Sequence, residues 1–364
     1  MDQTLPSATT ENAASDSPGG RSSPPPAPSP SARSGVRMPE PGDEARSWFK
    51  TLSPEKRASI HKLNRVEPIY SLIIVLFVAM WVAAGALIVG VPLWTVKLAG
   101  YVTIGFAIHG LAGVLHEAIH GNIFRNRRLD YWAGLVTGLP ALLGVTAYRV
   151  THLPHHWYNR TERDPAEIMN LTKHKGLLSL LFYVWIVGGM VLMIVTTPFG
   201  AQKYAKPGER RLIVAEYLLM IAIIGALVLA GWRSGHLGAI LDLWGFPLIV
   251  SAMIANVRGW SEHMLTLPGH PLTQSRTVSS NRLLSLLFVN ANYHLEHHLF
   301  PGMPWYNLPK LHQLLQDEYR AAGTFSYKSY LKFLVDAAWI GVHGLAPKHV
   351  RLPPHLAAHG TARQ

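Results

Sequence analysis

The stretch IYSLIIVLFVAMWVAAGALIVGVPLWTVKLAGYVTIGFAIHGLAGVLHEAIH, residues 69–120, decides the fold. From Pro68 to Val96 it carries no charged side chain. That run exceeds the roughly 20 apolar residues a helix needs to cross a bilayer. Beyond Lys97 a second apolar run continues to Leu115, with His109 as its only ionisable group. The short link VPLWTVK between the runs predicts a transmembrane helical hairpin. Lys50, Lys56, Arg57, Lys62 and Arg65 precede the first run, and Arg125, Arg127 and Arg128 follow the second. Basic residues gather on the cytoplasmic side of membrane segments, so both ends of the hairpin are expected there.

Four more apolar stretches follow, at 131–148, 177–199, 213–231 and roughly 237–257. The first is short and broken by Gly138, Pro140 and Gly144, which predicts a re-entrant or in-plane segment. Lys203, Lys206, Arg210 and Arg211 favour an internal 200–212 loop. That makes 177–199 an in-plane helix and 213–231 with 237–257 the second hairpin. The expected fold is therefore all-α and integral to a membrane, with two transmembrane helical hairpins. A cytoplasmic helical cap including residues 258–330 completes a domain spanning 46–340. Residues 1–45 are rich in Pro, Ser and Gly, cannot bury enough apolar surface to offset ordering entropy, and read as a disordered tail. They lack the apolar core of a secretory signal peptide. Residues 341–364 read as a flexible C-terminal tail.

Composition agrees with a membrane protein. The 364 residues are 49% hydrophobic and only 15% charged, where soluble domains carry about 25% charged. The net charge of +12 is spread over short loops beside apolar runs rather than in one block, so it argues for membrane orientation and not for nucleic acid. There is no cysteine, which excludes disulfide-stapled modules, thiolate iron–sulfur sites and Cys-type zinc fingers.

Histidine is abundant instead, with 19 residues, and three clusters stand out. His116-Glu-Ala-Ile-His120 follows the second apolar run, and its i, i+4 spacing puts both imidazoles on one helix face. His152-Leu-Pro-His155-His156 is the second cluster. His294-Leu-Glu-His297-His298 is the third, on a helix that Pro301 soon ends. His263 stands alone after the last apolar stretch. Imidazole ligates iron, copper, zinc and nickel. Surface histidines on polar helix faces are the bland alternative, but three clusters beside membrane segments argue for metal. The eight clustered histidines with His263 are too many for one ion, so two ions sharing the site is the economical reading.

HEAIH, HLPHH and HLEHH, with the continuation NYHLEHHLFPGMPWYNLPKLH (292–312), resemble the membrane-bound fatty acid desaturase family, whose histidine boxes occur in this order with similar spacing from the membrane segments. The resemblance covers about residues 60–330. It implies that His116, His120, His152, His155, His156, His294, His297 and His298 ligate a di-iron centre, and His263 matches the family's additional histidine. It implies an oxidoreductase that takes O2 as cosubstrate and electrons from an external donor, ferredoxin or cytochrome b5 with its reductase. Two hydrogens then leave an acyl chain as water. A methylene has no acidic proton, so a strong oxidant from reduced iron and O2 makes chemical sense. The HLEHH box keeps His294, where front-end desaturases carry glutamine, and no HPGG haem motif of a fused cytochrome b5 is present. An acyl-lipid desaturase is expected, with a lipid or carotenoid hydroxylase or ketolase as the alternative. A bacterial inner membrane fits, with the site on its cytoplasmic face.

Other residues are weighed beside the boxes. Asn290, four before His294, is expected on the same helix face, and Asn256, seven before His263, near one face with it. Either could orient a histidine or metal-bound water; a cap or buried amide is the plain alternative. Asp164 could accept from a box-two histidine, or end a turn before Pro165. Glu117, Glu262 and Glu296 neighbour box histidines. His109 could face a substrate tunnel. Asn159 and Asn170 begin acceptor-like sequons that a cytoplasmic location leaves unused. His116-Glu117-x-x-His120 also matches HExxH, the zinc metalloprotease motif, yet that reading leaves most clustered histidines without work. A metal transporter would place ligands near the bilayer midplane, whereas these boxes lie at the ends of the apolar runs.

Overall fold

A computed structural model describes residues 43–159, 163–166, 175–264, 266 and 270–343. The expected N-terminal tail up to residue 42, the C-terminal tail from 344 and the Asn170 sequon lie outside the described residues. The described residues form helices and turns, with one isolated bridge between Val278 and Tyr327.

Two short helices, α1 (Asp43–Thr51) and α2 (Pro54–Leu63), open the fold, so the first helix begins just inside the segment expected as tail. Ser53 caps α2 by accepting from Lys56 N at 3.2 Å, and Pro54 sits in the first turn, where its missing N–H costs nothing. The expected hairpin follows as α3 (Ile73–Gly90) and α4 (Trp94–His120). Gly121 ends α4 directly after box one: at φ 80° it lets its N–H reach Ala118 O and Asn122 N reach Glu117 O, both at 3.0 Å.

The stretch expected to re-enter is two helices, α5 (Arg127–Gly138) and α6 (Val145–Tyr158), bent by 98° around the turn at Leu139–Ala141. The stretch expected to lie in plane is α7 (Lys175–Gly200). The second pair is α8 (Pro207–Arg233) and a continuous run from Leu237 to His263. That run comprises α9 (Leu237–Ile240), a π-helical turn at Leu241–Gly245 and α10 (Phe246–His263). Trp81 donates to Leu243 O and Trp244 to Pro140 O, each at 2.9 Å, so the π turn ties α3 and the α5–α6 bend together. The last helices are α11 (Arg282–Leu287), α12 (His294–Leu299), α13 (Leu308–Leu314), α14 (Gln316–Ala322) and α15 (Tyr330–His343).

Among the described residues, four helical runs are long and apolar enough to cross a membrane: Pro68–Gly90, Trp94–His120, Pro207–Arg233 and Leu237–His263. Val75, Val82, Val89, Leu218 and Ile221 on them are more than 60% exposed. An apolar band of this extent belongs against lipid, where each helix satisfies its own backbone groups. The second run is different, with over half of its apolar window buried, because α4 packs between α3, α5 and α10. Gly110 permits that closeness. A Cβ there would lie 2.1 Å from the ring of Phe77, which is fully buried and has no room to retreat. Gly110→Ala is expected to cost about 1–3 kcal/mol by overpacking, read as a lower unfolding midpoint in detergent; an unchanged midpoint would show that the α3–α4 contact is slack.

A separate apolar core seats the third box. Leu295, Leu299, Phe300, Met303, Leu308 and Leu311 pack with Leu52, between α1 and α2, and Ile60 of α2. Lys56 Nζ pairs with Glu318 at 2.6 Å over the same junction. The N-terminal helices are thereby folded onto the segment that carries box three.

Candidate metal centre

All nine histidines singled out above come together. α4 ends on His116 and His120, α6 carries His152, His155 and His156, α10 ends on His263, and α12 carries His294, His297 and His298. They form two groups. His116, His120, His152, His156 and His297 make one; His155, His263, His294 and His298 make the other. Within each group, one potential ligand atom per residue lies within 4.8 Å of the others. Helix geometry sets how the rings within each box divide. The i, i+4 pairs 116/120, 152/156 and 294/298 project to the same side and share a group. His155 and His297 each lie a further 100° from their sequence neighbours, and so reach the other group. Each HxxHH box therefore bridges both groups.

The nitrogens are spaced for a cation. His152 Nε2 and His156 Nε2 are 2.9 Å apart, His156 Nε2 and His297 Nε2 3.1 Å, and His263 Nε2 and His294 Nε2 2.7 Å. His120 Nε2 and both ring nitrogens of His298 are buried without a hydrogen-bond partner. Unsatisfied buried polar atoms require a reason. A first-row metal provides one: at about 2.0–2.1 Å from each nitrogen, ligands at right angles stand about 3 Å apart. Burial first, then the charges of neighbouring imidazoles, hold His152, His156, His294 and His297 well below the usual histidine pKa. Neutral rings keep a lone pair for a metal.

Carboxylates orient two of the rings from behind. His155 Nδ1 lies 2.9 and 3.0 Å from the two oxygens of Asp164, the contact expected of that residue. A carboxylate only accepts, so Nδ1 carries the proton and Nε2 is left for a metal. Glu117 Oε1 is 3.1 Å from His116 Nδ1, whereas Glu262 Oε2, 3.3 Å from His294 Nδ1, makes no hydrogen bond to it. Glu296 points elsewhere: it accepts from Thr277 at 2.5 Å and His312 at 2.6 Å, fastening α12 to α13. Loss of an orienting partner typically costs about 10–100-fold in metal affinity. Asp164→Ala is expected to show that drop on iron titration against a chelator; retention of wild-type affinity would mean the contact does not hold the ring.

Asn290 requires correction. It is not on a helix with His294. α12 begins at His294 itself, and Val289 and Asn290 both have φ 52°, in the left-handed region where a helix cannot run on. The Asn290 amide donates to Trp305 O at 3.1 Å and so braces the turn before box three. Asn256 is buried on α10, two turns before His263. His109 is buried on α4 with its ring edge-on to Phe288. Asn159 is also buried.

The structure adds residues the sequence did not single out. Asn122 donates to Glu117 Oε2 at 3.1 Å and to Pro301 O at 3.0 Å, while Trp305 N donates to Glu117 at 3.1 Å. This fully engaged carboxylate is not free to serve as the base of a metalloprotease. Arg258 pairs with Glu262 at 3.0 Å, a link visible as an i, i+4 charge pair. Arg276 is fully buried and donates to the carbonyls of Ser261 and Glu262; nothing local in the sequence signals it.

Helices of membrane length converging on paired histidine groups that could hold metal ions set the class of the described residues, helical with four apolar runs. The sequence profile described as "Fatty acid desaturase" matches residues 92–329, more than half of the chain. The chain belongs to the fatty acid desaturase family, and hence to the oxidoreductases. It is similar to the sphingolipid delta(4)-desaturase/C4-monooxygenase of Homo sapiens, with 25% identity over 285 residues, covering 72% of this chain and 79% of that one. It is similar to a fatty acid desaturase of Bacillus subtilis, with 25% identity over 274 residues, covering 67% and 73%. It is also similar to the zeaxanthin 4-ketolase of Chlamydomonas reinhardtii, with 26% identity over 237 residues, covering 63% and 47%.

Proposed function

We propose that the chain is an O2-dependent di-iron acyl-lipid desaturase that introduces a double bond into an acyl chain with electrons from a separate donor. The single observation that carries this reading is the pair of converging histidine groups at the ends of α4 and α10. In this reading His116, His120, His152, His156 and His297 hold one iron, and His155, His263, His294 and His298 the other. Bound reduced iron supplies, with O2, the oxidant that an unactivated methylene requires. The protein holds His152, His156, His294 and His297 neutral, orients His155 through Asp164 and His116 through Glu117, and buries six of the nine rings. Asn256 serves as a further orienting amide.

Both hairpins bring their C-terminal ends, His120 and His263, to the one site, which supports placing these ends on the same membrane face. Arg125, Arg127 and Arg128 beside that end support the cytoplasmic face. In this topology α3 with α4, and α8 with α9–α10, are the two hairpins, and α7 and the α5–α6 bend lie in plane. The remaining helices cap the site, and the chain resides in a bacterial inner membrane. Ferredoxin, or cytochrome b5 with its reductase, delivers the electrons.

Hydroxylation or ketolation is the second reading, favoured by the monooxygenase and ketolase among the relatives. Mass spectrometry of lipids and pigments from a host with and without the gene decides. A product lighter by two hydrogens supports desaturation. One oxygen gained supports hydroxylation, and one oxygen gained with two hydrogens lost supports a ketone. No oxidised product in a host supplying iron and a donor would overturn the oxidoreductase assignment to lipid.

A further inference from the structure

A polar layer lies on the membrane side of the histidine groups, within the apolar part of the fold. His109 is seven residues before His116 on α4, or about 10 Å along the helix, and Arg258 is five before His263 on α10, or about 8 Å. Phe288 joins this level to α15. Its ring stands edge-on to His109 at 5.3 Å and to Tyr330 at 5.4 Å. α15 also packs against α10. His109 and Tyr330 thus flank Phe288 from α4 and α15, the two helices against which α10 with Arg258 packs. Tyr148 in turn stacks on His152 at 5.1 Å.

Two donors in this layer are unused. Arg258 gives Nη1 to Glu262, at 3.0 and 3.1 Å, while its Nε is buried with no hydrogen-bond partner. The Tyr330 hydroxyl is likewise buried with no partner. Ionisable side chains inside membrane segments are costly and are retained where they act, and buried donors left unmet carry a penalty. The Asp242 cluster at the far end of α4 differs: its carboxylate accepts from both Lys97 and Tyr101, and the polar atoms meet one another. The Arg258 side chain as a whole is 19% exposed, and it stands two contacts from His294 through Glu262.

We propose that Arg258 and Tyr330 bind an oxygen atom of the substrate, so that the carbon oxidised lies within a few bonds of a hydroxyl, carbonyl or amide group. The proposal rests on the reading of the chain as a lipid oxidase. The charge balance selects a neutral oxygen over a carboxylate, because Glu262 already neutralises the guanidinium and a second anion would leave the layer with excess negative charge in a region of low dielectric. A substrate entering from the lipid meets these donors on its way to the metal. Its polar group stops there, and the adjacent methylenes reach the histidine groups. A simple hydrocarbon would leave both donors unmet and bind more weakly.

Binding of tritiated 1-hexadecanol and of hexadecane to the full chain in lipid nanodiscs tests this, using wild type, Tyr330→Phe and Arg258→Lys. Tyr330→Phe keeps the ring against Phe288, and Arg258→Lys keeps the charge beside Glu262, so the fold and the iron content are expected to be preserved. Wild type should hold the alcohol about tenfold more tightly than the alkane, the value of one net hydrogen bond to a polar anchor. The preference should fall to near one in either variant. Equal affinity of wild type for both probes, or a full preference retained in Tyr330→Phe, would overturn the proposal. The assay needs no turnover, so a failure of the oxidase reading, seen as no oxidised product by mass spectrometry, is separable from a failure of the anchor.

Discussion

His298→Ala is expected, on the proposed di-iron reading, to abolish turnover and to lower the bound iron from about two atoms per chain toward one, because imidazole is a ligand for such an ion. The reason lies in the partition of the nine histidines. His298 stands with His155, His263 and His294, so its loss leaves that group three rings and a weaker hold on its ion. The five-member group retains all its rings, so one ion should remain. His297→Ala makes the reciprocal change, thinning the group of five and sparing the group of four. Iron analysis of the two purified variants, with product formation in membranes, reads the effect. Wild-type product from His298→Ala would remove box three from the reaction. Equal loss of both irons in both variants would mean the ions bind as one cooperative unit. Membrane insertion should be unaffected, since α12 lies outside the four runs of membrane length.

Glu216→Ala is expected to have the second largest effect, although Glu216 touches no histidine. Its buried carboxylate on α8 accepts from Thr146 N at 2.9 Å, from the Thr146 hydroxyl at 2.5 Å and from Tyr131 at 2.9 Å. Thr146 is in the first turn of α6, where backbone N–H groups lack helical partners and a negative charge is favourable. One carboxylate thus fixes the start of the helix that carries box two and ties it to α5 and α8. Hydrogen bonds to a charged group are each worth about 1.5–3 kcal/mol and do not add fully, so a loss of about 3 kcal/mol is expected. It should appear as a lower unfolding midpoint, together with weaker iron retention as His152, His155 and His156 lose their register. Glu216→Gln, whose amide oxygen still accepts, should lose less. Normal iron content and stability in Glu216→Ala would show that α6 is held by its apolar contacts alone.

The broad architecture was legible because its signals are local. An uncharged run of bilayer length is a property of consecutive residues, and so is the i, i+4 placement of two imidazoles on one helix face. The breaks at Gly138, Pro140 and Gly144 pointed to the 98° bend between α5 and α6. Asn290 was misplaced by the same local reasoning, since spacing alone cannot show that the chain turns left-handed at Val289 and Asn290 before α12 starts.

By itself, then, the sequence determined that the chain is helical, that it belongs in a membrane, and which histidines would meet. The first two follow from backbone periodicity and side-chain polarity, and the third from the resemblance of the three clusters to the desaturase histidine boxes. Tertiary structure decided how the nine histidines divide. His297 joins His116 and His156, and His155 joins His263, only because α4, α6, α10 and α12 cross at one place. It also decided which acids stand behind which rings: Glu117 and Asp164 orient imidazoles, while Glu296, from the middle of a histidine box, turns away to His312. These pairings join residues far apart in the chain, and no local period encodes them. They depend on how the helices pack in depth and rotation, and packing is settled by the whole set of contacts at once.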